Sequence, residues 1–332
     1  MATYDCFVSV VAPLSNDARI VKPFVTEVME VLRNNYANYE LVLVNDGSED
    51  DTAEQVCGLL KEYECIRLLN LSRSFGTDVA ISSGLDSVIG DFVAIVLPES
   101  DPPDLIPDLI QQARLGYDIV IGIRNNRSGE PLWMKVGAKL FYLSCKSIFK
   151  IPLIENATQF RVLSRAVVNA IIQVNDKYRY LRLLSSYVGY RRKTFTYEQI
   201  RRYRRPKLKS FLETVDIALQ VIVVNSVRPL RFASYLGLLA SIFNILYMGY
   251  IALVYLFKDQ VAEGWVTLSF QNAIAFFCIS IVLTILSEYV GFIFERLKGW
   301  PAYYIAEEKN SSVLIADRDR RNIVKNSDNI QV

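Results

Sequence analysis

The sequence predicts an α/β fold, a mainly parallel sheet covered by helices on both faces, followed by interface helices and two transmembrane helices. Three observations lead there. Short, continuous apolar runs alternate with stretches of helical periodicity through the first half of the chain. Two later stretches, Phe232–Phe257 and Val266–Ser287, contain no charged residue, and each exceeds the ~20 residues that span a bilayer. A dense basic segment stands just ahead of them. The chain has 332 residues, 52% of them hydrophobic, which suits one large domain carrying a membrane appendage better than a purely soluble protein.

The strands are expected at Phe7–Ala12, Glu40–Asn45, Ile66–Asn70, Phe92–Val96 and Asp118–Ile123. The helices between them are expected over Ile20–Asn34, Thr52–Glu64 with Thr52 as its cap, Asp78–Val88 and Pro103–Leu115. Continuous apolar strands separated by amphipathic helices imply a sheet buried on both faces. In such sheets ligands bind at the carboxyl ends of the strands.

The expected domains are 1–205 for the α/β unit, 206–230 for a juxtamembrane amphipathic helix, 231–296 for two spans with a short outside loop, and 297–332 for a C-terminal tail. Arg228 and Arg231 precede the first span, and Arg296 and Lys298 follow the second. The positive-inside rule then puts both termini in the cytoplasm, as in a multi-pass protein of the inner membrane. The N-terminal MATYDCFVSVVAP lacks a basic segment followed by a long apolar core, so no signal peptide is expected.

Composition excludes several chemistries. There is no histidine, which removes a Ser-His-Asp triad, a Cys-His pair and His-ligated zinc. The five cysteines are scattered without a CxxC and read as reduced thiols. A net charge of +2 gives no global field, so electrostatics must be local. The basic run Tyr190–Lys209 could be a solvated face. Beside membrane spans, its mixture of Arg, Lys, Tyr and Phe more naturally meets lipid phosphates. Nothing else supports nucleic-acid binding, and no nucleic-acid partner is expected.

Two strand ends carry chemistry. In VLVNDGSEDDT, Asp46 can hydrogen-bond a base or ribose hydroxyl, and Gly47 lets the backbone turn and approach a ligand. By itself this is an ordinary strand-to-helix turn. In GDFVAIVLPESDPPDLIPDL, Glu99 and Asp101 follow a buried strand, where carboxylates can hold a metal–diphosphate. The same two residues could instead cap the helix that starts near Pro102 and favour its dipole.

Read in order, SVVAPLSND, VNDGSEDDT, LSRSFGTDVAISSGLD, GDFVAIV with DPPDLIPDL, IGIRNNRSGEPLWMKVGAKLFY, QFRVLSRAVV and SEYVGFIFERLKGWPAYYI resemble the family 2 glycosyltransferases of the polyisoprenyl-phosphate type, over nearly the whole chain. DGS and DPP are weak signals singly; the ordered set is strong. The resemblance implies a GT-A (Rossmann-like) domain on the cytoplasmic face. It implies transfer of a sugar from a UDP- or GDP-linked nucleotide-sugar to a polyprenyl phosphate, with Mg2+ or Mn2+. It also implies contact with membrane lipids and a homo-oligomer, a tetramer. Such chemistry needs a cation at the leaving diphosphate, cationic side chains on the acceptor phosphate, and an in-line acceptor oxygen. A phosphate acceptor is already ionised, so a strong general base matters less than for a sugar hydroxyl.

Carried over by resemblance, Pro13, Asp17, Asp46, Arg73 and Gly76 bind the donor. Arg124, Arg127 and Arg161 face phosphates, and Arg202, Arg205 and Lys209 are candidates to close over donor or acceptor. Glu99 is the main metal ligand with help from Asp101, and Glu99, Gln159 and Arg161 form the catalytic set. The chain departs from the family in three places. The acidic stretch is one residue short, so Leu97 takes a position where the family has Asp and Glu99 takes the next. Gln159 replaces the Asp that precedes F-R in the family, and it can donate a hydrogen bond to a phosphate but cannot act as a base. Thr77 stands where histidine is common. A catalytically impaired homologue that binds a lipid phosphate or nucleotide as a partner in a cell-envelope glycan pathway is therefore the alternative.

Overall fold

In the computed structural model the described residues are 4–125, 137, 143, 145, 147, 154–173, 189–200, 202, 228–257, 264–297 and 301–313. The chain divides into two compact units. One comprises Met1–Pro131, Pro152–Lys207 and Pro301–Val332, the other Leu132–Ile151 and Leu208–Trp300. The expected juxtamembrane helix over 206–230 lies almost wholly outside the described residues.

The first unit is built on eight strands: β1 (Tyr4–Leu14), β2 (Tyr36–Asn45), β3 (Ile66–Leu71), β4 (Phe92–Ile95), β5 (Ile119–Arg124), β6 (Ala157–Ser164), β7 (Arg192–Tyr197) and β8 (Ile305–Asn310). Their order across the sheet is β7-β5-β6-β4-β1-β2-β3-β8. The central strands β4, β1, β2 and β3 are parallel, as is the β5–β7 pair. β6 runs antiparallel to both β4 and β5, and β8 antiparallel to β3. Among the described residues the sheet is thus mixed but mainly parallel, with β6 and β8 running against the other six strands. The apolar runs gave β1 to β5, while β6, β7 and β8 are polar enough along ATQFRVLS, RKTFTY and IAEEKN to hide from that pattern.

Strand alternation divides the core in two. Val8, Val10, Ala12 and Leu14 of β1 face one side with Leu41, Leu43, Ile66, Leu68, Ala94 and Val96. On that side lie α1 (Ala18–Asn35), α2 (Thr52–Glu62) and α4 (Ile106–Arg114). Val11, Val42, Val44, Leu69, Val93 and Ile95 face the other, against α3 (Thr77–Ser87) and α5 (Arg165–Gln173). Gly84 lets α3 approach β1, since a Cβ there would lie 2.4 Å from Val11 Cγ1.

The amino end of the sheet is tied by one buried carboxylate. Glu40 is 1% exposed. It accepts hydrogen bonds from Ser9 Oγ at 2.6 Å and Ile89 N at 2.8 Å, and pairs with Arg67 at 3.5 Å. Arg67 also reaches Glu308 of β8 at 2.9 Å. The segment expected as a C-terminal tail, 297–332, therefore contributes an edge strand to the first unit. Ser311 extends the attachment by donating its N–H to Ile66 O. Basic residues in the run expected to meet lipid also serve the sheet: Arg192 and Lys193 open β7, and Lys193 Nζ bonds Gln112 Oε1 at 2.7 Å.

The second unit contains α6 (Arg228–Phe257, 30 residues) and α7 (Trp265–Leu297, 33 residues), which pack on each other. Among the described residues, one window, Ile274–Gly291 in α7, is long and apolar enough to cross a membrane. Phe232, Phe243, Leu246, Phe276 and Phe277 of these helices are exposed.

Glu40→Ala removes the acceptor of Ser9 Oγ and Ile89 N, while Arg67 keeps Glu308 and the Ser87 carbonyl oxygen. It should destabilise the protein by about 2–3 kcal/mol, read from the midpoint of denaturant unfolding.

Candidate active site

At the carboxyl edge the first two strand ends lie side by side, with Pro13 paired to Val44 and Leu14 to Asn45. The loops beyond them interlock. Asn16 N donates to Ser48 Oγ at 3.0 Å, Glu49 N to Asn16 Oδ1 at 2.8 Å, and Ala18 N to Asp50 Oδ2 at 3.1 Å. Asp17 Oδ2 accepts from Ser15 N at 2.8 Å, and Asp17 N donates to Thr52 Oγ1 at 2.8 Å. Thr52 is therefore a bridge between loops, and Asp51 holds the N-cap position expected of it. Pro13 and Asp17 are buried parts of this frame.

Asp46 is buried and fully occupied by the loop after β3. Its carboxylate accepts from Ser74 Oγ at 3.0 Å, Phe75 N at 2.7 Å and Gly76 N at 3.0 Å. Gly47, at φ +59°, packs so closely that a Cβ would lie 2.4 Å from Ser74 N and 2.5 Å from the carbonyl carbon of Arg73. Gly76, at φ +96°, is the N-cap of α3. Arg73 is exposed, its guanidinium 4.6 Å from the centre of the Phe75 ring.

The acidic turn splits its two carboxylates. Glu99 is exposed. Asp101 is 0% exposed and accepts from Leu97 N at 2.8 Å, Ser100 Oγ at 3.2 Å and Tyr197 OH at 2.7 Å. Burial raises its pKa to about 6 against these hydrogen bonds. Tyr197 OH also lies 2.9 Å from Thr158 Oγ1, and burial beside the Asp101 carboxylate pushes the phenol pKa up. Gly122 leaves room for this ring, since a Cβ there would lie 2.8 Å from its Cε1.

Beyond β7 the chain lies along the same turn. Ile200 N donates to Ser100 O at 3.0 Å and Arg202 N to Glu99 O at 3.2 Å. The Arg202 guanidinium donates to Pro98 O at 2.7 Å and Asp101 O at 3.0 Å, and pairs with Glu27 at 2.5 Å. It anchors the turn rather than reaching out toward a phosphate. Arg161 is fully buried and donates to Thr158 O at 2.5 Å and Gln159 O at 3.3 Å. Arg124 ends β5, its N–H donating to Asn156 O at 3.2 Å. Gln159 is buried and its Nε2 donates to Asp78 Oδ1 at 2.5 Å. Arg127, Arg205 and Lys209 lie outside the described residues.

A divalent cation fits this edge in a restricted way. Among the described residues no three carboxylate or thiol groups converge into a protein-only site. The buried Asp101 has its oxygens committed inward and does not fit as a ligand. The exposed Glu99 does fit, as a single carboxylate that would be free to hold Mg2+ or Mn2+.

Sequence reasoning located the edge but missed Tyr197, Thr158, Asp78 and Thr52. Tyr197 and Asp101 are 96 residues apart, and only the alternation of TFTY hints that Tyr197 turns inward.

A three-layer α/β domain with a DGS turn and the exposed Glu99 at its carboxyl edge carries its polar loops where sheets of this kind bind ligands. The glycosyl transferase family 2 pattern matches residues 9–172. The chain is 30% identical over 300 residues to the uncharacterized glycosyltransferase sll0501 of Synechocystis, covering 90% of this chain and 94% of that one. It is 28% identical over 302 residues to the uncharacterized glycosyltransferase YkcC of Bacillus subtilis, covering 90% and 92%. It is 29% identical over 309 residues to the bactoprenol glucosyl transferase of Shigella phage SfV, covering 91% and 99%. The chain belongs to glycosyltransferase family 2 and is a glycosyltransferase.

Two outcomes follow from the geometry. Gly47→Ala forces a side chain into the backbone of residues 73–74 at a positive φ. It should cost upwards of about 1 kcal/mol in thermal unfolding. For Asp101, the folded pKa of about 6 lies above the ordinary 3.8, so the folded chain binds the proton more tightly between those values. Its contribution to stability is full below about pH 4, declines as pH rises toward 6, and is flat above. Unfolding measured from pH 4 to 8 should show this decline, on the order of 2–3 kcal/mol, and Asp101→Asn should flatten it.

Proposed function

We propose that the chain transfers a sugar from a nucleotide-sugar to a polyprenyl phosphate at the cytoplasmic face of the inner membrane. The observation that carries this reading is the extent of the match to the phage bactoprenol glucosyl transferase. It covers 91% of this chain and 99% of the relative, and so includes the helical region that a soluble acceptor would not require. The exposed aromatic and aliphatic residues of α6 and α7 favour a lipid surface over water. Arg228 and Arg231 in the first turn of α6, and Arg296 and Lys298 at the end of α7, favour both ends on the cytoplasmic side. The return of the chain into the first unit as β8 agrees with an even number of crossings.

In this reading the loop held by Asp46, with Arg73 and Gly76, receives the nucleoside. Glu99 would hold Mg2+ or Mn2+, which would supply positive charge for the leaving diphosphate. Arg124, Arg127 and Arg161 provide positive potential for the phosphates, and Arg205 and Lys209 close over them. Arg202 acts indirectly, fixing the turn that bears Glu99. The acceptor phosphate attacks already ionised, so the site needs no strong base. The polyprenyl acceptor, the UDP or GDP donor and a tetrameric assembly form the rest of the proposal. A second reading, a lipid-phosphate- or nucleotide-binding homologue without turnover, is favoured by the inward commitment of Asp101 and by Gln159.

The test is purified protein in detergent with mixed polyprenyl phosphates, a panel of UDP- and GDP-sugars and Mn2+ or Mg2+, with lipid-linked sugar read by mass spectrometry. Product is expected, and Glu99→Ala should lower its rate by at least about 100-fold. Product that survives Glu99→Ala removes the metal assignment. Absence of product from every donor beside an active control enzyme favours the second reading.

A further inference from the structure

Gln159 lies on β6 two residues beyond the Ile95–Arg161 pairing, which sets it beside Leu97 at the start of the acidic turn. Its side chain is 5% exposed. The amide has one hydrogen-bond partner at its nitrogen end, Asp78 Oδ1, and its carbonyl oxygen Oε1 is buried without any partner. A carboxylate can only accept, so Asp78 fixes which end of the amide faces it. The nitrogen must turn to Asp78 and the oxygen must turn away. Asp78 is itself held, as the second residue of α3, whose start is set by the grip of Asp46 on Ser74, Phe75 and Gly76.

A buried carbonyl oxygen without a donor is costly, and one at the ligand edge of the sheet is best satisfied by a ligand. Its chemistry selects the ligand group. An acceptor oxygen next to the Asp78 carboxylate repels phosphate oxygens and takes a hydrogen-bond donor. We infer that Gln159 Oε1 accepts a hydrogen bond from a hydroxyl of the transferred sugar, and that Asp78 is the positioning residue that orients it. This rests on the sugar-transfer reading and moves Gln159 from the acceptor phosphate to the donor sugar. Because Oε1 is closed off in the ligand-free chain, the hydroxyl reaches it only as this edge opens around the sugar.

The experiment compares calorimetric affinities of the full-length protein in detergent. UDP-glucose, UDP-galactose, UDP-N-acetylglucosamine and GDP-mannose are each set against the bare diphosphate, UDP or GDP. At least one sugar nucleotide is expected to bind more tightly than its diphosphate. Gln159→Leu should lower that affinity by about five- to tenfold and leave the bare diphosphate unchanged. Gln159→Asn, which keeps polarity and loses reach, should do the same if the leucine variant fails to fold. Asp78→Asn frees the amide to turn over and should lose about two- to fivefold, again on the sugar nucleotide alone. A purely structural role for Asp78 would weaken sugar nucleotide and diphosphate equally, and that result overturns the inference. So does a Gln159→Leu protein with the full preference for the sugar nucleotide, or a wild-type protein that binds diphosphate with no gain from any sugar. A wild-type protein that binds none of these nucleotides overturns the sugar-transfer reading itself.

Discussion

The ligand edge of this protein depends on buried carboxylates acting as acceptors for loop backbone. Irregular loops cannot satisfy their own N–H groups by a ladder, and water is kept from those that are covered. Asp46 takes three bonds from the loop after β3, and Asp101 takes three from its own turn and from β7. Charge-assisted bonds of this kind are stronger than neutral ones and more specific in direction. Each carboxylate therefore sets the shape of a loop, and the loops leave Glu99 exposed between them. Glu40 plays the same part at the opposite end of the sheet, where it joins β1, β3 and the turn before β4.

These carboxylates differ in how they are compensated. Glu40 has a guanidinium beside it. Asp101 has only neutral donors, and its proton affinity rises accordingly. A buried acid without a countercharge is a poor cation ligand when its oxygens are already committed. In the proposed reaction the cation therefore falls to the exposed Glu99 rather than to Asp101. Arg202 does for the turn what a countercharge would do, but through carbonyl oxygens: it binds Pro98 O and Asp101 O instead of the carboxylate.

Much of the parallel core was legible because each strand is a continuous apolar run, and a run buried on both faces leaves a plain mark in sequence. The strand ends were legible for the same reason, since the polar residues that follow VLV directly, and FVAIV after Leu97 and Pro98, must lie at the edge. The two edge strands, β7 and β8, were not. KTFTY alternates within a basic segment whose charge masks it, and IAEEKN follows an apolar hairpin and reads as a tail. Nor could sequence divide Glu99 from Asp101, because the choice is made by a tyrosine 96 residues away. Thr52 was read by local rule as a cap, yet its hydroxyl accepts from Asp17, a partner from another loop. Local chemistry predicted which residues are polar and placed them at the edge; only tertiary contact says which way each one turns.

The place of β8 in chain order has a consequence for biosynthesis. Its partner β3 ends at Leu71, and β8 begins at Ile305. At ~5–20 residues per second, the ribosome needs roughly 10–50 s to travel between them. Throughout that interval the nascent sheet carries an unpaired edge, the kind of surface that recruits other strands. Both apolar helices emerge within the same interval, before β8 can pair with β3. The last strand is in effect a completion signal, added only to chains whose helices have already been synthesised.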